Sequence, residues 1–245
     1  MRFLLYNIRY GTGIGTQFHF PVPYAGYLKR STENYRQITE FISRLAPDIV
    51  GLVEVDSGSF RTGNCCQAES LARLLEYDHV VESKYRCGSL PRRVPVLAKQ
   101  GNALLSKEKF LAHQFHFFKK GIKRLAIEAK TANLTVFLVH LSLTYYNRQS
   151  QLQQLYELVK TTQGPVIVAG DFNVLWGDHE LELFLAATRL RNANDQGHPS
   201  HPSRSPKRQL DFILYSQNLT VQNFFIPDVI FSDHAPLVCD FSFQQ

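Results

Sequence analysis

A chain of 245 residues that is 44% hydrophobic and 12% aromatic has ample material for a packed core, which excludes intrinsic disorder. A formal net charge of +6, with a pI near 9.1, favours polyanionic partners: nucleic acid, anionic lipid headgroups or phosphorylated small molecules. No apolar run is long enough for a membrane span, and Met1 to Asn7 lacks the apolar length and cleavage site of a secretory signal, so a cytoplasmic protein is expected. The four cysteines (Cys65, Cys66, Cys87 and Cys239) contain no Cys-Xaa-Xaa-Cys and therefore no zinc pattern. They read as reduced thiols, and a bridge from Cys65 or Cys66 to Cys87 is the alternative for an exported protein.

In chain order, residues 2–7 read as a strand ending at Asn7, and the glycines up to Gly15 make a loop. Residues 18–30 interleave aromatics with His19, Lys29 and Arg30, and Pro21 and Pro23 exclude a regular helix. This stretch suits base stacking, peripheral contact with an anionic membrane, or a loop folded over the core. Ser31 or Thr32 can cap a helix from Glu33 to about Leu45, with Tyr35, Ile38, Phe41, Ile42 and Leu45 on one face. Residues 49–53 form a buried strand that ends at Glu54, which completes a strand-helix-strand unit.

A second helix follows over Gln67 to Leu75, then short strands at 78–81 and 101–106. Between them Lys84, Arg86, Arg92, Arg93 and Lys99 make a basic loop, read as a solvated surface or a groove for phosphates. Residues 110–118 and 122–130 read as a strand pair, and 134–139 as a buried strand ending at His140. A polar helix over about Asn147 to Lys160 leads to Val166-Ile167-Val168-Ala169-Gly170-Asp171-Phe172-Asn173. There a β-branched run stops at a glycine, and in an extended chain Asp171 and Asn173 emerge on one side, while the same Gly-Asp-Xaa-Asn spacing also makes an ordinary turn. Glu180 to Thr188 is helical. Residues 192–209 are rich in helix and strand breakers and include the basic residues Arg204, Lys207 and Arg208. Strands at 210–215 and up to Phe243 close a single domain covering residues 1–245.

Four apolar runs thus end in chemically useful groups: Asn7, Glu54, His140, and Asp171 with Asn173. Asp211 begins a strand, and Asp233 precedes His234 in a turn. In α/β sheets ligands collect at strand ends. Glu54, helped by Asn7 and Asp233, suits the sparse oxygen shell of magnesium. Asp171 can orient or deprotonate a water, and Asn173, His140 and a protonated His234 can contact a phosphate. Asp211 beside His234 fixes its tautomer and raises its pKa.

These residues sit in blocks that resemble the endonuclease/exonuclease/phosphatase family, the deoxyribonuclease I-like superfamily. The blocks are Tyr6-Asn7-Ile8-Arg9, Asp48 to Glu54, Gly101 to Ser106, Val139 to Leu143 with Arg148 and Gln151, Gly170 to Asn173, Leu210 to Ile213, and Ser232-Asp233-His234. The resemblance implies a four-layer α/β/β/α sandwich of two packed mixed sheets flanked by helices. It also implies phosphoester hydrolysis with Mg2+, for which Mn2+ substitutes. It assigns Glu54 to the metal with Asn7 and Asp233 close by, Asp171 to the water, Asn173 and His140 to the phosphate, and His234 with Asp211 to an acid–base dyad. Arg9 occupies a place where several members carry aspartate and deoxyribonuclease-like members carry arginine. Arg9, Asn102, Arg148 and Arg208 are the candidate substrate contacts. The expected activity is a phosphodiesterase or nuclease acting as a monomer. A phospholipid-headgroup phosphodiesterase is the alternative, and a phosphate- or nucleic-acid-binding protein without turnover is the third reading.

Overall fold

Two six-stranded sheets lie face to face between helices. A computed structural model describes residues 1–14, 30–85, 88, 94–121 and 125–244. In chain order the elements are β1 (Arg2–Asn7), α1 (Thr32–Leu45), β2 (Ile49–Asp56), α2 (Gln67–Leu75), β3 (Asp78–Ser83), β4 (Gln100–Ser106), β5 (Ala112–Phe117), β6 (Leu125–Lys130) and β7 (Thr135–His140). They continue with α3 (Tyr145–Thr161), β8 (Val166–Asp171), α4 (Glu182–Thr188), β9 (Arg191–Asn192), β10 (Asp211–Tyr215), β11 (Leu219–Phe225) and β12 (Leu237–Phe243). The first sheet runs β11-β12-β1-β2-β4-β3 and the second β5-β6-β7-β8-β10-β9.

Alternation along each strand sorts side chains between two interiors. Phe3, Leu5 and Leu104 of the first sheet meet Leu138, Ile167 and Ile213 of the second, all within 1% of full burial. Their neighbours Leu4, Val50 and Leu52 face Ile38 and Ile42 of α1 and Leu71 of α2. Phe137, Val139 and Val168 face Leu152 and Leu155 of α3 and Phe184 of α4. Strands covered on both faces need apolar residues at every position, which explains the unbroken runs in the sequence. Each fully buried Leu, Ile or Phe contributes roughly 1.5–3 kcal/mol. At Gly51 the facing sheet packs close: an added Cβ would sit 3.0 Å from Leu138 Cδ1 of that sheet and 3.4 Å from the Phe3 ring beside it.

Each sheet contains one parallel pair joined by a helix: β1 and β2 through α1, and β7 and β8 through α3. Parallel strands need such a crossover, and it leaves both carboxyl ends on the same side. Pairing of β7 with β8 is tightest at Gly170 (φ +151), where a Cβ would lie 1.9 Å from the Val139 carbonyl oxygen. Gly170→Ala is therefore expected to cost on the order of 3 kcal/mol or to prevent folding. A melting temperature within a few degrees of the parent would contradict this.

Several expectations change. β2 does not end at Glu54: it continues to Asp56 through a register shift between Leu52 and Val55. Ser31 sits at the start of α1 but makes no capping bond, and its hydroxyl points to the Arg61 carbonyl instead. Lys84 is not a solvated surface residue, because its ammonium is buried and donates to the Tyr10 hydroxyl at 2.6 Å. β11 had no counterpart in the sequence reading. The aromatic-basic stretch 18–30 lies outside the described residues apart from Arg30, as do Arg86, Cys87, Arg92 and Arg93. Among the described residues no helix is long and apolar enough to cross a membrane.

Candidate active site

Register builds the centre of the site. His140 pairs with Asp171 across the parallel β7–β8 ladder, and Asp171 pairs with Asp211 across the antiparallel β8–β10 ladder. Residues in one row of a sheet point to the same face, so three ionisable side chains emerge side by side. Asp171 is the hub. Its Oδ2 lies 3.3 Å from His140 Nε2 and 3.9 Å from His234 Nε2, and it accepts from Asn7 Nδ2 at 3.1 Å. Its Oδ1 accepts from the Asn173 backbone N–H at 3.0 Å. The bond to Asn7 crosses from one sheet to the other, so the two halves of the site belong to different layers.

The chain turns directly after Asp171, the ordinary Gly-Asp-Xaa-Asn turn, instead of running on extended. Asn173 adopts a left-handed conformation (φ 52), which asparagine tolerates better than most residues. This folds its carboxamide back, and Nδ2 donates to the Leu141 carbonyl at 2.9 Å. Glu54 is also left-handed (φ 57) and sits in the bulge of β2. Bulges re-aim side chains, and here the carboxylate is brought to 3.9 Å from His140 Nε2. The Glu54 backbone N–H donates to Asn102 Oδ1 at 3.2 Å. Asn102 is 1% exposed, so it braces Glu54 from behind instead of standing in the open. On the opposite rim Arg9 lies 3.5 Å from Asp233, and its backbone N–H donates to Asn7 Oδ1 at 3.1 Å.

His234 and Asp211 form the expected pair, with Nδ1 2.8 Å from Asp211 Oδ2. Ser200 donates to the same oxygen at 2.6 Å. Burial alone would lower the His234 pKa, but the carboxylates of Asp211 and Asp171 outweigh it and raise the imidazole from 6.5 to about 10. The folded state thus holds this proton more tightly than the unfolded chain does. The associated stabilisation is complete below pH 6.5 and fades as pH rises towards 10. In the cation-free protein the ring is expected to remain an imidazolium at pH 8, read from its 15N shifts, and Asp211→Asn to make it neutral. A neutral ring in the parent at pH 8 would refute the assignment.

Arg148 is a correction. It is fully buried, its Nε donates to Glu180 at 2.8 Å, and Nη1 donates to the carbonyls of Ser142 (2.8 Å) and Leu143 (3.0 Å). Its guanidinium is consumed in building the loop after His140 and is not available to a substrate. Arg208 is exposed, near the dyad but outside it. Two contributors, Ser200 and His201, were missed. The His201 ring lies 4.6 Å from that of His234, and burial together with the His234 charge lowers its pKa. Both belong to the breaker-rich stretch that sequence treated as loop. It returns to the site because the Ser203 N–H donates to the Asp233 carbonyl at 2.7 Å and the Ala235 N–H donates to the Ser200 carbonyl at 2.8 Å.

The donor set suits a hard divalent cation. Four carboxylates, Glu54, Asp171, Asp211 and Asp233, gather here in a largely buried space, with Arg9 beside Asp233 and His234 beside Asp211. Asp211 Oδ1 and Asn102 Nδ2 are buried without hydrogen-bond partners among the described residues. Asp171, Asp211 and His234 lie close enough to share an ion, as do His201, Asp233 and His234; Glu54 stands at the mouth with 16% side-chain exposure, and Asp233 is also shared with Arg9.

Comparison with known proteins agrees with this fold. A UPF0294 protein of Vibrio parahaemolyticus is 31% identical over 124 residues, which is 50% of this chain and 43% of that protein. The chain thus spans less than half the length of the curated relatives it matches. The human Nocturnin catalytic domain with bound sulfate superposes over 100% of this chain and 94% of its own, with TM-score 0.70 and 23% identity. A mannosyl-6-phosphatase of Bacteroides thetaiotaomicron covers 99% and 100%, with TM-score 0.73 and 14% identity. The profile of the endonuclease/exonuclease/phosphatase family matches residues 4–234, and the chain belongs to that family.

Proposed function

We propose that the protein is a divalent-metal-dependent phosphodiesterase whose phosphate sits between Asp171, His140 and His234. The observation that carries this reading is the placement of one carboxylate, Asp171, within reach of Asn7 from one sheet and of His140 and His234 from the other. Asp171, fixed by the donors Asn7 Nδ2 and the Asn173 N–H, orients a water by accepting its hydrogen bond and takes its proton. His234, kept protonated against Asp211, presents Nε2–H to a phosphoryl oxygen as charge develops there. Asn173 has one amide N–H committed to Leu141 and a second for the same oxygens. Magnesium or manganese, held by Glu54 with Asn7 and Asp233 alongside, would neutralise a phosphoryl oxygen and the leaving oxyanion. Sulfate bound to the Nocturnin domain supports a tetrahedral-anion site in this fold.

The phospholipid-headgroup alternative draws support from Leu143, Tyr145 and Tyr146, which are exposed on the segment following His140, with Lys120 stacked on Tyr146. The test is hydrolysis of a single-stranded oligonucleotide and of bis(p-nitrophenyl) phosphate by the full chain. Turnover is expected with Mg2+, is lost with chelator and returns with Mn2+. Turnover indifferent to chelator, or none on any diester, would overturn the proposal.

A further inference from the structure

We propose that a recess beside the dyad, walled by Trp176, Lys207, Arg208 and Gln209, takes the base and flanking phosphate of a nucleotide next to the scissile ester, making single-stranded nucleic acid the substrate class. This rests on the phosphodiesterase reading and names its substrate.

The recess has a volume of about 340 Å³, within the range of small-ligand sites. Its walls continue directly from catalytic residues. Val174 to Trp176 follow Asn173, and Lys207 to Gln209 lead into Asp211. The two walls are tied by the Phe172 N–H donating to the Leu210 carbonyl at 2.8 Å. Arg208 is also bonded through its backbone to His201, whose ring lies against that of His234. A group in this recess is therefore a near neighbour of the reacting phosphate.

Trp176 is 74% exposed, yet its backbone is anchored: its N–H donates to Glu180 Oε1 at 3.0 Å, and Glu180 is clamped by buried Arg148. A large aromatic ring in water on a braced turn is a ready platform that loses little freedom on binding. A nucleobase presents a flat face to stack on it, an inositol headgroup does not, and a choline cation, which aromatic faces do attract, would meet the like charges of Lys207 and Arg208. Lys207 and Arg208 are exposed at the lip and outnumber the acidic Asp178 on the same wall, which suits the phosphate attached to that base. Gln209 Nε2 is buried with no hydrogen-bond partner among the described residues, a donor left over for a base carbonyl.

Trp176 is the protein's single tryptophan, so its fluorescence reports this place alone. The full chain, in chelator to prevent turnover, is titrated with 5′-AMP, a short oligothymidylate, inorganic phosphate, and phosphatidylcholine–phosphatidylserine vesicles. Saturable quenching by the oligonucleotide and by AMP, weakened by salt and absent with phosphate alone, is expected. Trp176→Ala should lower kcat/KM for the oligonucleotide about tenfold relative to bis(p-nitrophenyl) phosphate, and Trp176→Phe should restore most of it. A blue shift with vesicles and no nucleotide quenching would assign the surface to lipid and overturn the proposal. No response to any ligand would overturn it too. Hydrolysis of the aryl diester in the same preparation keeps that failure separate from a failure of the phosphodiesterase reading.

Discussion

Asp171→Asn is expected to lower kcat about a thousandfold or more while leaving the fold intact. The change is isosteric and keeps an oxygen to accept from the Asn173 N–H, so the turn after β8 has no reason to open. What disappears is the negative charge that faces His140, His234 and Asn7 together. A neutral amide orients water poorly and cannot accept its proton. Steady-state kinetics on bis(p-nitrophenyl) phosphate, paired with a thermal melt, would measure both effects. Turnover within tenfold of the parent in a correctly folded Asp171→Asn protein would remove Asp171 from the chemistry.

Arg148→Ala is the largest expected stability effect outside the backbone. Arg148 and Glu180 are both fully buried in their side chains, so deleting the cation strands a carboxylate with no comparable partner. Breaking such a pair from one side costs about 3–5 kcal/mol. For a chain of this size that corresponds to a fall in melting temperature of roughly 10 °C or more. The double replacement Arg148→Met with Glu180→Leu should recover much of the loss, because it removes both charges from the interior together. If the single and double variants melt alike, the pair is not the source of the stability. Activity of the single variant should fall as well, since the carbonyls of Ser142 and Leu143 lose their donor just beyond His140.

The contrast between Arg148 and Asp171 shows what the sequence could convey. Strands buried on both faces leave unbroken apolar runs, so β1, β7 and β8 are legible, and with them the residues at their carboxyl ends. A polar residue in a recognised block is legible as important, but the block does not reveal whether its charge points into a cleft or into the protein. Arg148 was read as a substrate contact and is a buried support, whereas Asn102 supports Glu54 through its oxygen and keeps Nδ2 without a hydrogen-bond partner among the described residues. β11 escaped notice because an edge strand is half-exposed, mixes Thr, Gln and Asn with its apolar residues, and carries a bulge between Val221 and Asn223. Ser200 and His201 escaped because long-range backbone bonds, not local propensity, carry their loop back to Asp211 and His234. Glu54 was found for its chemistry, although the kink that aims it depends on pairing with a distant strand.

The close approach of the layers at Gly51 has a consequence for how this protein can diverge. The hydrogen bond from Asn7 to Asp171 spans that same seam, so the thickness of the interior acts as a spacer that sets how far apart these two side chains stand. A single methyl group introduced at Gly51, remote in sequence from Asp171 and His234, would press on the end of Leu138 in the facing sheet and ask it to yield by a few tenths of an ångström. Interior positions along this seam are thereby tuned to a shared clearance, and drift there is constrained by chemistry as much as by folding.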